Sequence, residues 1–295
     1  MNAINTDLLG TETSYVDTGK YVTRLIEVKN DKPPLFLFHG GGGHAEAYSR
    51  NMIPLSGACR PMAIDFIWHG LSSKPKFWPA DPKAERHWLN QFTDQVLDLM
   101  DHLGLEKAVF EGESLGAWIT ADLAINHPDR TAGIVFNTAW GITFDPAKVE
   151  EHTADLETLR IASLAALNEP TYETIKARMD WLMPMGGVTD ELIELRRAIW
   201  SRDDTKASLT EYYEKLFAPN INEFLFTEGD VSRITVPTFV LWTDHNPFQG
   251  LDAAHRLNEL VEGSSLHIIE NAGHWPQWEK PGEHDKAVSE FVRSL

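Results

Sequence analysis

The most informative part of the sequence is Val109-Phe110-Glu111-Gly112-Glu113-Ser114-Leu115-Gly116-Ala117-Trp118, where a β-branched and aromatic run leads through Gly-x-Ser-x-Gly into a helix start. Two glycines in this context let the chain turn sharply from strand to helix and hold the serine in strained backbone above the end of the sheet. The hydroxyl of Ser114 then lies at a helix N-terminus, where N–H groups favour developing negative charge. The motif predicts that Ser114 is a nucleophile.

Composition and charge are typical of a soluble enzyme. The 295 residues are enough for one large α/β core, alone or with an inserted subdomain. The sequence has neither an apolar run long enough to cross a membrane nor the pattern of a signal peptide. The single cysteine, Cys59, excludes an internal disulfide and a Cys-built metal site and favours a reducing cytoplasm. The net charge, 26 − 44 = −18, disfavours nucleic acid and anionic lipid as partners and requires a local basic group for an anionic substrate.

Strands and helices alternate along most of the chain. Strands are predicted at 21–28, 35–38, 109–111, 133–137, 238–242 and 266–269, and residues 63–65 are predicted to end another strand. Helices are predicted at 89–103 and 287–295. From residue 144 to residue 219 the pattern is helical throughout, with a leucine stripe and helix starts after Thr171 and Thr189. This organisation predicts an α/β core of residues 1–143 and 220–295 with a mostly parallel, doubly wound sheet, and an inserted helical lid of residues 144–219.

A glycine run follows the second predicted strand, in Leu37-Phe38-His39-Gly40-Gly41-Gly42-Gly43-His44. Glycines at a strand end allow backbone N–H groups to approach a ligand closely. In a serine hydrolase such a loop supplies one oxyanion donor and the residue after the nucleophile supplies the other, so we assign the donors to Gly41 and Leu115. We expect His39 to brace the loop, whereas the sequence leaves His44 open between a pocket residue and a loop residue.

The partners of the nucleophile are sought in the C-terminal part of the chain. His274, on a Gly-containing loop after the last predicted strand, has the position and the chain order of a general base. Asp244 is the carboxylate nearest the end of the strand at 238–242 and is the candidate to orient His274 and balance its charge. Its alternative interpretation is an aspartate that caps the loop.

With these residues the chain resembles the α/β-hydrolases and, among them, the meta-cleavage product hydrolases, which cut carbon–carbon bonds in ring-opened aromatic compounds. The resemblance covers nearly the whole chain and rests on residues 39–43, 112–118, 181–196 and 273–279. It implies that Arg196 pairs with the carboxylate of a 2-hydroxy-6-oxo-dienoate, since a guanidinium suits a carboxylate in a dry cleft. It also implies that Trp275 packs against substrate or fills core, and that the reaction, ketonisation of the dienol followed by attack at the remote carbonyl, needs no cofactor.

In this chemistry Ser114 acts as the nucleophile or activates water, His274 moves the protons, and the glycine loop, Gly40 and Gly42 included, contacts the substrate. Two positions depart from the family pattern. The usual acid position falls on Asn246, two residues after Asp244, and the residue before the nucleophile is Glu113 where asparagine is common. An extra carboxylate there would repel an anionic substrate unless it is protonated or turned away.

Three classes of function stay open at this point. The first is a carbon–carbon hydrolase that acts on a small carboxylate substrate, and the second is an esterase or lactonase with the same triad. The third is a ligand-binding protein on a hydrolase fold, which an inactive triad with Asn246 would favour. Dehalogenases and epoxide hydrolases are disfavoured because they carry aspartate where Ser114 stands. The sequence leaves open whether the chain forms a homo-oligomer.

Overall fold

The computed structural model of the chain describes residues 3–143 and 149–295. Its main sheet has eight strands in the order β1-β2-β4-β3-β5-β6-β9-β10. Strand β2 is antiparallel to β1 and β4, and the remaining neighbours are parallel. The strands of this sheet are β1 (Glu12–Asp17), β2 (Val22–Glu27), β3 (Pro34–Phe38), β4 (Arg60–Ile64), β5 (Ala108–Glu113), β6 (Thr131–Asn137), β9 (Thr238–Thr243) and β10 (Ser265–Ile269). A small parallel pair joins β7 (Ile142–Thr143) to β8 (Phe226–Thr227).

Twelve α-helices accompany these strands in the described residues. They are α1 (Ala3–Asp7), α2 (Met52–Leu55), α3 (Asn90–His102), α4 (Leu115–Asn126), α5 (Val149–Asn168), α6 (Tyr172–Leu182), α7 (Asp190–Trp200), α8 (Asp203–Leu216), α9 (Glu228–Val231), α10 (Leu251–Leu260), α11 (Pro276–Glu279) and α12 (Pro281–Ser294). None of the helices in this described part is both long and apolar enough to span a membrane.

The core lies around the central strands, because parallel strands are covered on both faces and are therefore apolar along their length. Residues Leu35–Phe38 are fully buried, and every residue of β5 is buried as well. Helix α4, which follows β5, is buried nearly all around, as its run of apolar and small residues requires.

The strand order places the active-site loops together. Strand β3 lies between β4 and β5 in the sheet. The connection from β3 to β4 therefore runs to one side of β3, and the connection from β4 to β5 crosses to its other side. Ligands bind at such a switch point, outside the carboxyl ends of the strands. The glycine loop after β3 and the Gly-x-Ser-x-Gly turn after β5 are therefore neighbours.

Helices α5 to α8 follow one another in the chain between strands β7 and β8. Helix α5 contacts α6 and α8, and α7 contacts α6 and α8. The predicted starts are confirmed: Thr171 caps α6 by accepting the N–H of Thr174, and Thr189 caps α7 by accepting that of Leu192. Of the predicted helical stretch, residues 144–148 lie outside the described residues.

The predicted strands all occur, and the α/β-hydrolase architecture is confirmed. The closing helix begins at Pro281, six residues before its predicted start, because proline is well suited to the first helical position. Sequence reasoning missed β1, whose alternation of exposed and half-buried residues is that of an edge strand, and also missed helix α10.

Candidate active site

Ser114 occupies the predicted sharp turn. Its backbone is left-handed, with φ 52° and ψ −116°, a conformation that costs free energy for a residue with a Cβ. The flanking glycines are required by space: a Cβ on Gly112 would collide with the backbone of Gly116, and a Cβ on Gly116 would lie 2.6 Å from the carbonyl oxygen of Phe38. The side chain of Ser114 faces a cavity of about 480 Å³ that His274 also lines.

The wall of this cavity is mainly apolar and combines residues of the core with residues of α5, α6 and α8. Its apolar lining consists of Leu115, Trp140, Leu156, Leu159, Leu182, Leu216, Phe248 and Trp275. The few polar groups in an apolar wall are the usual determinants of ligand orientation.

The predicted oxyanion donors both lie at this cavity. Gly41 and Leu115 line it, and within the described residues neither backbone N–H donates a hydrogen bond. A side chain at position 41 would meet the hydroxyl of Tyr212 at 2.7 Å, which explains the glycine. Gly40 also lines the cavity, but its N–H donates to Oε2 of Glu113 at 2.6 Å and is not free for a ligand.

Gly42 does not line the cavity, so the prediction that it contacts the substrate is not supported. Its φ of +73° lies in the region that favours glycine, and a Cβ there would lie 2.7 Å from the ring of Trp200. Its carbonyl oxygen accepts the indole N–H of Trp200 at 3.1 Å. Gly42 therefore joins the glycine loop to helix α7.

The two histidines of this loop have structural contacts. His39 accepts the N–H of Phe66 on Nε2 at 3.1 Å, and its Nδ1 lies 2.8 Å from the carbonyl oxygen of Gly40. Burial lowers the pKa of His39 to about 4, so the ring is neutral at pH 7 and braces the loop as predicted. His44 is buried, with Nδ1 2.9 Å from Glu46, and is not a pocket residue.

His274 is buried, and its two ring nitrogens face different groups. Nδ1 lies 2.8 Å from Oδ1 of Asn246, whose own amide donates to the carbonyl oxygen of Gln249 at 3.1 Å. Nε2 lies 3.1 Å from Oε1 of Glu113, within ion-pair distance but outside hydrogen-bond geometry. The ring of Phe248 packs against the imidazole with centroids 4.6 Å apart.

Asp244 does not face His274, contrary to the expectation from the sequence. Its carboxylate accepts the N–H groups of Asn271 at 3.0 Å and Ala272 at 3.3 Å, and it lies 2.8 Å from His245. Burial pushes the pKa of Asp244 up, but these three contacts bring it below its ordinary value. Asp244 therefore holds the loop that carries His274, and Asn246 occupies the orienting position.

Glu113 precedes the nucleophile in the chain and lines the same cavity. It is 1% exposed, lines the cavity, and touches both the glycine loop and the imidazole of His274. The sequence identified this residue as a departure, but its bond to Gly40 depends on how β3 and β5 lie beside each other in the sheet.

Arg196 is completely buried, and none of its three side-chain nitrogens has a hydrogen-bond partner among the described residues. Its guanidinium lies 5.2 Å from the ring centroid of Trp275, which lines the cavity, and 5.7 Å from that of Trp200. Burial and then the charge of Arg178 lower the pKa of Arg196 to about 9, so the group is still a cation at pH 7. A buried cation without a partner is costly, and an anionic ligand would provide one.

The sequence analysis missed three polar cavity residues, Arg178, Tyr212 and Tyr213. Arg178 donates from Nη2 to the carbonyl oxygen of Gly41 at 3.0 Å and from Nε to Ser163 at 3.0 Å, and its Nη1 has no partner in the described residues. The hydroxyl of Tyr212 is also buried at the cavity without a partner there. The available signal was an arginine on the buried face of α6, beside Ile175, Met179 and Leu182.

Within residues 3–143 and 149–295, no group of three or more His, Cys, Asp or Glu side chains is arranged to hold a metal ion. The chemistry of the arrangement is that of a serine and a histidine with backbone oxyanion donors, which suits acyl transfer.

Comparison with known proteins begins with relatives in sequence. The chain is 29% identical over 270 residues to the 2-hydroxy-6-oxononadienedioate/2-hydroxy-6-oxononatrienedioate hydrolase 2 of Pseudomonas putida, which covers 87% of this chain and 86% of the relative. It is 27% identical over 271 residues to the 2-hydroxy-6-oxo-6-phenylhexa-2,4-dienoate hydrolase of Comamonas testosteroni, covering 88% and 87%.

Solved structures agree on the fold. The 2-hydroxy-6-oxo-6-phenylhexa-2,4-dienoate hydrolase of Rhodococcus sp. strain RHA1 aligns with a TM-score of 0.81 at 20% identity, over 96% of this chain and 99% of the other. The enol-lactonase of Burkholderia xenovorans LB400 aligns with a TM-score of 0.70 at 18% identity, over 95% and 99%. The family model of the alpha/beta hydrolase fold matches residues 33–281. This chain therefore belongs to the α/β-hydrolase family, and its relatives in sequence include hydrolases of 2-hydroxy-6-oxo-dienoates.

Proposed function

We propose that this protein is a serine-dependent hydrolase that cleaves a carbon–carbon bond of a 2-hydroxy-6-oxo-dienoate, the product of aromatic ring cleavage. The observation that carries the proposal is the buried guanidinium of Arg196, which has no hydrogen-bond partner in the described residues. It is not itself a lining residue of the cavity, but it lies 5.2 Å from the ring centroid of Trp275, which lines the cavity together with Ser114 and His274. The names of the relatives support the same class of substrate.

The substrate carboxylate would be bound by arginine. At net charge −18 the protein has no long-range attraction for an anion, so recognition must come from groups at short range. In the described residues, Arg196 provides a guanidinium without a hydrogen-bond partner, 5.2 Å from the ring centroid of Trp275, and Arg178 provides one nitrogen without a partner at the cavity wall. A carboxylate placed there would pair with cations in a site of low dielectric, where charge-assisted hydrogen bonds are strong.

The reaction follows from the placement of the remaining groups. A proton transfer from the 2-hydroxyl to C5 ketonises the dienol. The oxygen of Ser114 then attacks the C6 carbonyl as its proton passes to His274, and the N–H groups of Gly41 and Leu115 stabilise the oxyanion. The C5–C6 bond breaks, and its electron pair is delocalised onto the C2 carbonyl oxygen. Water hydrolyses the acyl-serine.

The inserted helices would close the site. We assign residues 144–219 to a lid and residues 1–143 and 220–295 to the catalytic core, since α5, α6 and α8 contribute cavity residues opposite Ser114. Exclusion of water by such a lid strengthens the charge pair with the substrate. A single, buried, free cysteine fits a cytoplasmic enzyme.

The test is a comparison of kcat/KM for two substrates in Arg196→Gln and wild type. On 2-hydroxy-6-oxo-6-phenylhexa-2,4-dienoate we expect a loss equivalent to about 2–5 kcal/mol, the range for breaking a desolvated charge pair. On p-nitrophenyl acetate, which has no carboxylate, the loss should be much smaller.

Arg197→Gln is the matched control, because Arg197 is the next residue on α7 but is exposed and paired with Glu194. It should leave both activities close to those of wild type. Equal losses on the two substrates in Arg196→Gln would show that Arg196 only supports the lid. A wild type that hydrolyses the ester but no dienoate would replace the proposal with an esterase or lactonase.

A further inference from the structure

The catalytic histidine of this protein lacks the usual carboxylate partner on Nδ1. Asn246 holds that position, and its orientation is fixed because its amide nitrogen donates to Gln249 while the N–H of Phe248 reaches its oxygen. Oδ1 therefore faces His274 and accepts from Nδ1. This bond fixes the tautomer with the lone pair on Nε2, which is the nitrogen that must take a proton. An amide carries no charge, however, and stabilises an imidazolium poorly compared with a carboxylate.

A carboxylate approaches the same imidazole from the other side. Oε1 of Glu113 lies 3.1 Å from Nε2 of His274, and both side chains are at most 2% exposed. Oε2 of Glu113 is held by the N–H of Gly40 at 2.6 Å, so the carboxylate cannot turn toward solvent. A buried carboxylate needs a cation or a hydrogen-bond donor beside it, and the imidazole of His274 is the ionisable group within ion-pair distance of Glu113.

We propose that Glu113 supplies the negative charge that Asn246 lacks and stabilises the imidazolium form of His274 from the Nε2 side. The consequence for rate rests on the serine hydrolase function proposed above. When Ser114 attacks, its O–H bond breaks, the electron pair forms the new bond to carbon, and the proton moves to Nε2. The positive charge created on His274 then lies against Glu113, which acts through His274 as a positioning residue.

The other charged groups around His274 are engaged elsewhere. Asp244 accepts from the backbone of Asn271 and Ala272, and Glu279 of α11 accepts the N–H groups of Gly273 and Trp275 on either side of His274. His245 pairs with Asp244, and the guanidinium of Arg196 of α7 lies 5.2 Å from the ring centroid of Trp275, the residue after His274. Glu113 is thus the described carboxylate that reaches the ring itself.

The experiment removes the negative charge on the Nε2 side of the imidazole and then introduces one on the Nδ1 side. Glu113→Gln should lower kcat on p-nitrophenyl acetate at least 100-fold and move the midpoint of the pH profile of kcat/KM down by one unit or more, because a carboxylate near an imidazolium raises its pKa. Glu113→Gln with Asn246→Asp should recover at least a tenth of the wild-type kcat and the wild-type midpoint, since the charge is restored on Nδ1.

Glu111→Gln is the matched control. Glu111 is also a buried glutamate on β5, two residues earlier, but it pairs with His284 away from the cavity. We expect this substitution to lower stability and to leave the midpoint of the pH profile where it is in wild type.

Two readouts do not depend on the substrate. In a ¹⁵N NMR titration, the His274 imidazole should titrate at lower pH in Glu113→Gln than in wild type and should return toward wild type in the double variant. The rate of Ser114 labelling by a fluorophosphonate should fall in Glu113→Gln and recover in the double variant. The proposal is overturned if His274 titrates at the same pH in Glu113→Gln as in wild type. It is equally overturned if Glu113→Gln retains kcat within threefold, or if a folded double variant recovers nothing. If these results are obtained but the wild type hydrolyses no dienoate, only the substrate assignment is contradicted.

Discussion

Strand β5 carries two buried glutamates, Glu111 and Glu113, and each lies against a buried histidine. Glu111 lies 2.7 Å from Nε2 of His284, whose Nδ1 is 2.9 Å from Asp285, so both ring nitrogens of His284 face carboxylates. Glu113 lies against Nε2 of His274, whose Nδ1 faces a neutral amide. The first pair lies away from the cavity, whereas the second lines it.

This difference in partners distinguishes the structural Glu111–His284 pair from the Glu113–His274 pair at the cavity. Burial would lower the pKa of His284, but Glu111 and Asp285 more than offset it and raise the value to about 10. That imidazolium keeps its proton at neutral pH and joins β5 to α12. His274 has one carboxylate fewer and lines the cavity, so a ligand in the cavity can reach its ring.

The largest expected effect concerns the cavity that Ser114 and His274 line. Ser114→Ala should lower kcat by several orders of magnitude, up to about 10⁶, because losing a nucleophile removes the covalent step. The thermal transition should change little, since alanine occupies the same strained backbone with the same Cβ. Steady-state kinetics and a melting curve test this, with Ser201→Ala at the exposed end of α7 as control. More than about a tenth of wild-type turnover in Ser114→Ala would disprove the nucleophile assignment.

The next largest expected effect concerns the buried network of Glu111, His284 and Asp285. His284→Gln should lower the free energy of unfolding by roughly 3–5 kcal/mol, because Glu111 and Asp285 would be left buried without their cation. Urea denaturation measures the loss. His267→Gln removes the histidine of an exposed pair with Glu283 and should cost less than about 1 kcal/mol. Equal effects of the two substitutions would mean that the buried network adds nothing beyond a surface pair.

The pH dependence of stability should distinguish the two histidines further. The pKa of His284 is raised in the folded protein, so its contribution is complete below the unfolded value of about 6.5 and is lost as pH rises through about 10. The free energy of unfolding of wild type should therefore fall between pH 7 and pH 10.5. The difference between wild type and His284→Gln, measured at each pH, should shrink over the same interval. A constant difference would show that folding does not raise the pKa of His284.

These contrasts also show what the sequence could predict. Ser114 and His274 follow from local patterns, a strand that enters a glycine-flanked turn and a histidine after the last strand, and the fold follows from the alternation of strands and helices. The same reasoning found Arg196 through resemblance, and its lack of a partner emerged only from packing. Residues whose position is set by one element could be predicted.

Residues whose role depends on a contact between two elements could not be predicted from the sequence. Asp244 and Asn246 are two positions apart in one loop, and which of them faces His274 depends on how that loop bonds to Asn271 and Ala272. The contact between Glu113 and His274 joins β5 to the loop after β10, and no local pattern encodes it. Sequence therefore located the site and left its charge distribution undetermined.

The smallest expected effect concerns the residue that the sequence favoured. Asp244→Asn should lower the free energy of unfolding by about 1 kcal/mol, since an amide oxygen can still accept the N–H groups of Asn271 and Ala272 but without charge. Asn246→Ala should slow turnover more than Asp244→Asn does, because it removes the group that fixes the tautomer of His274. Kinetics of both variants on the same substrate, beside urea denaturation, separate the two roles. If Asp244→Asn were the slower enzyme, the loop would place the aspartate against His274 during the reaction, and the usual acid would be restored.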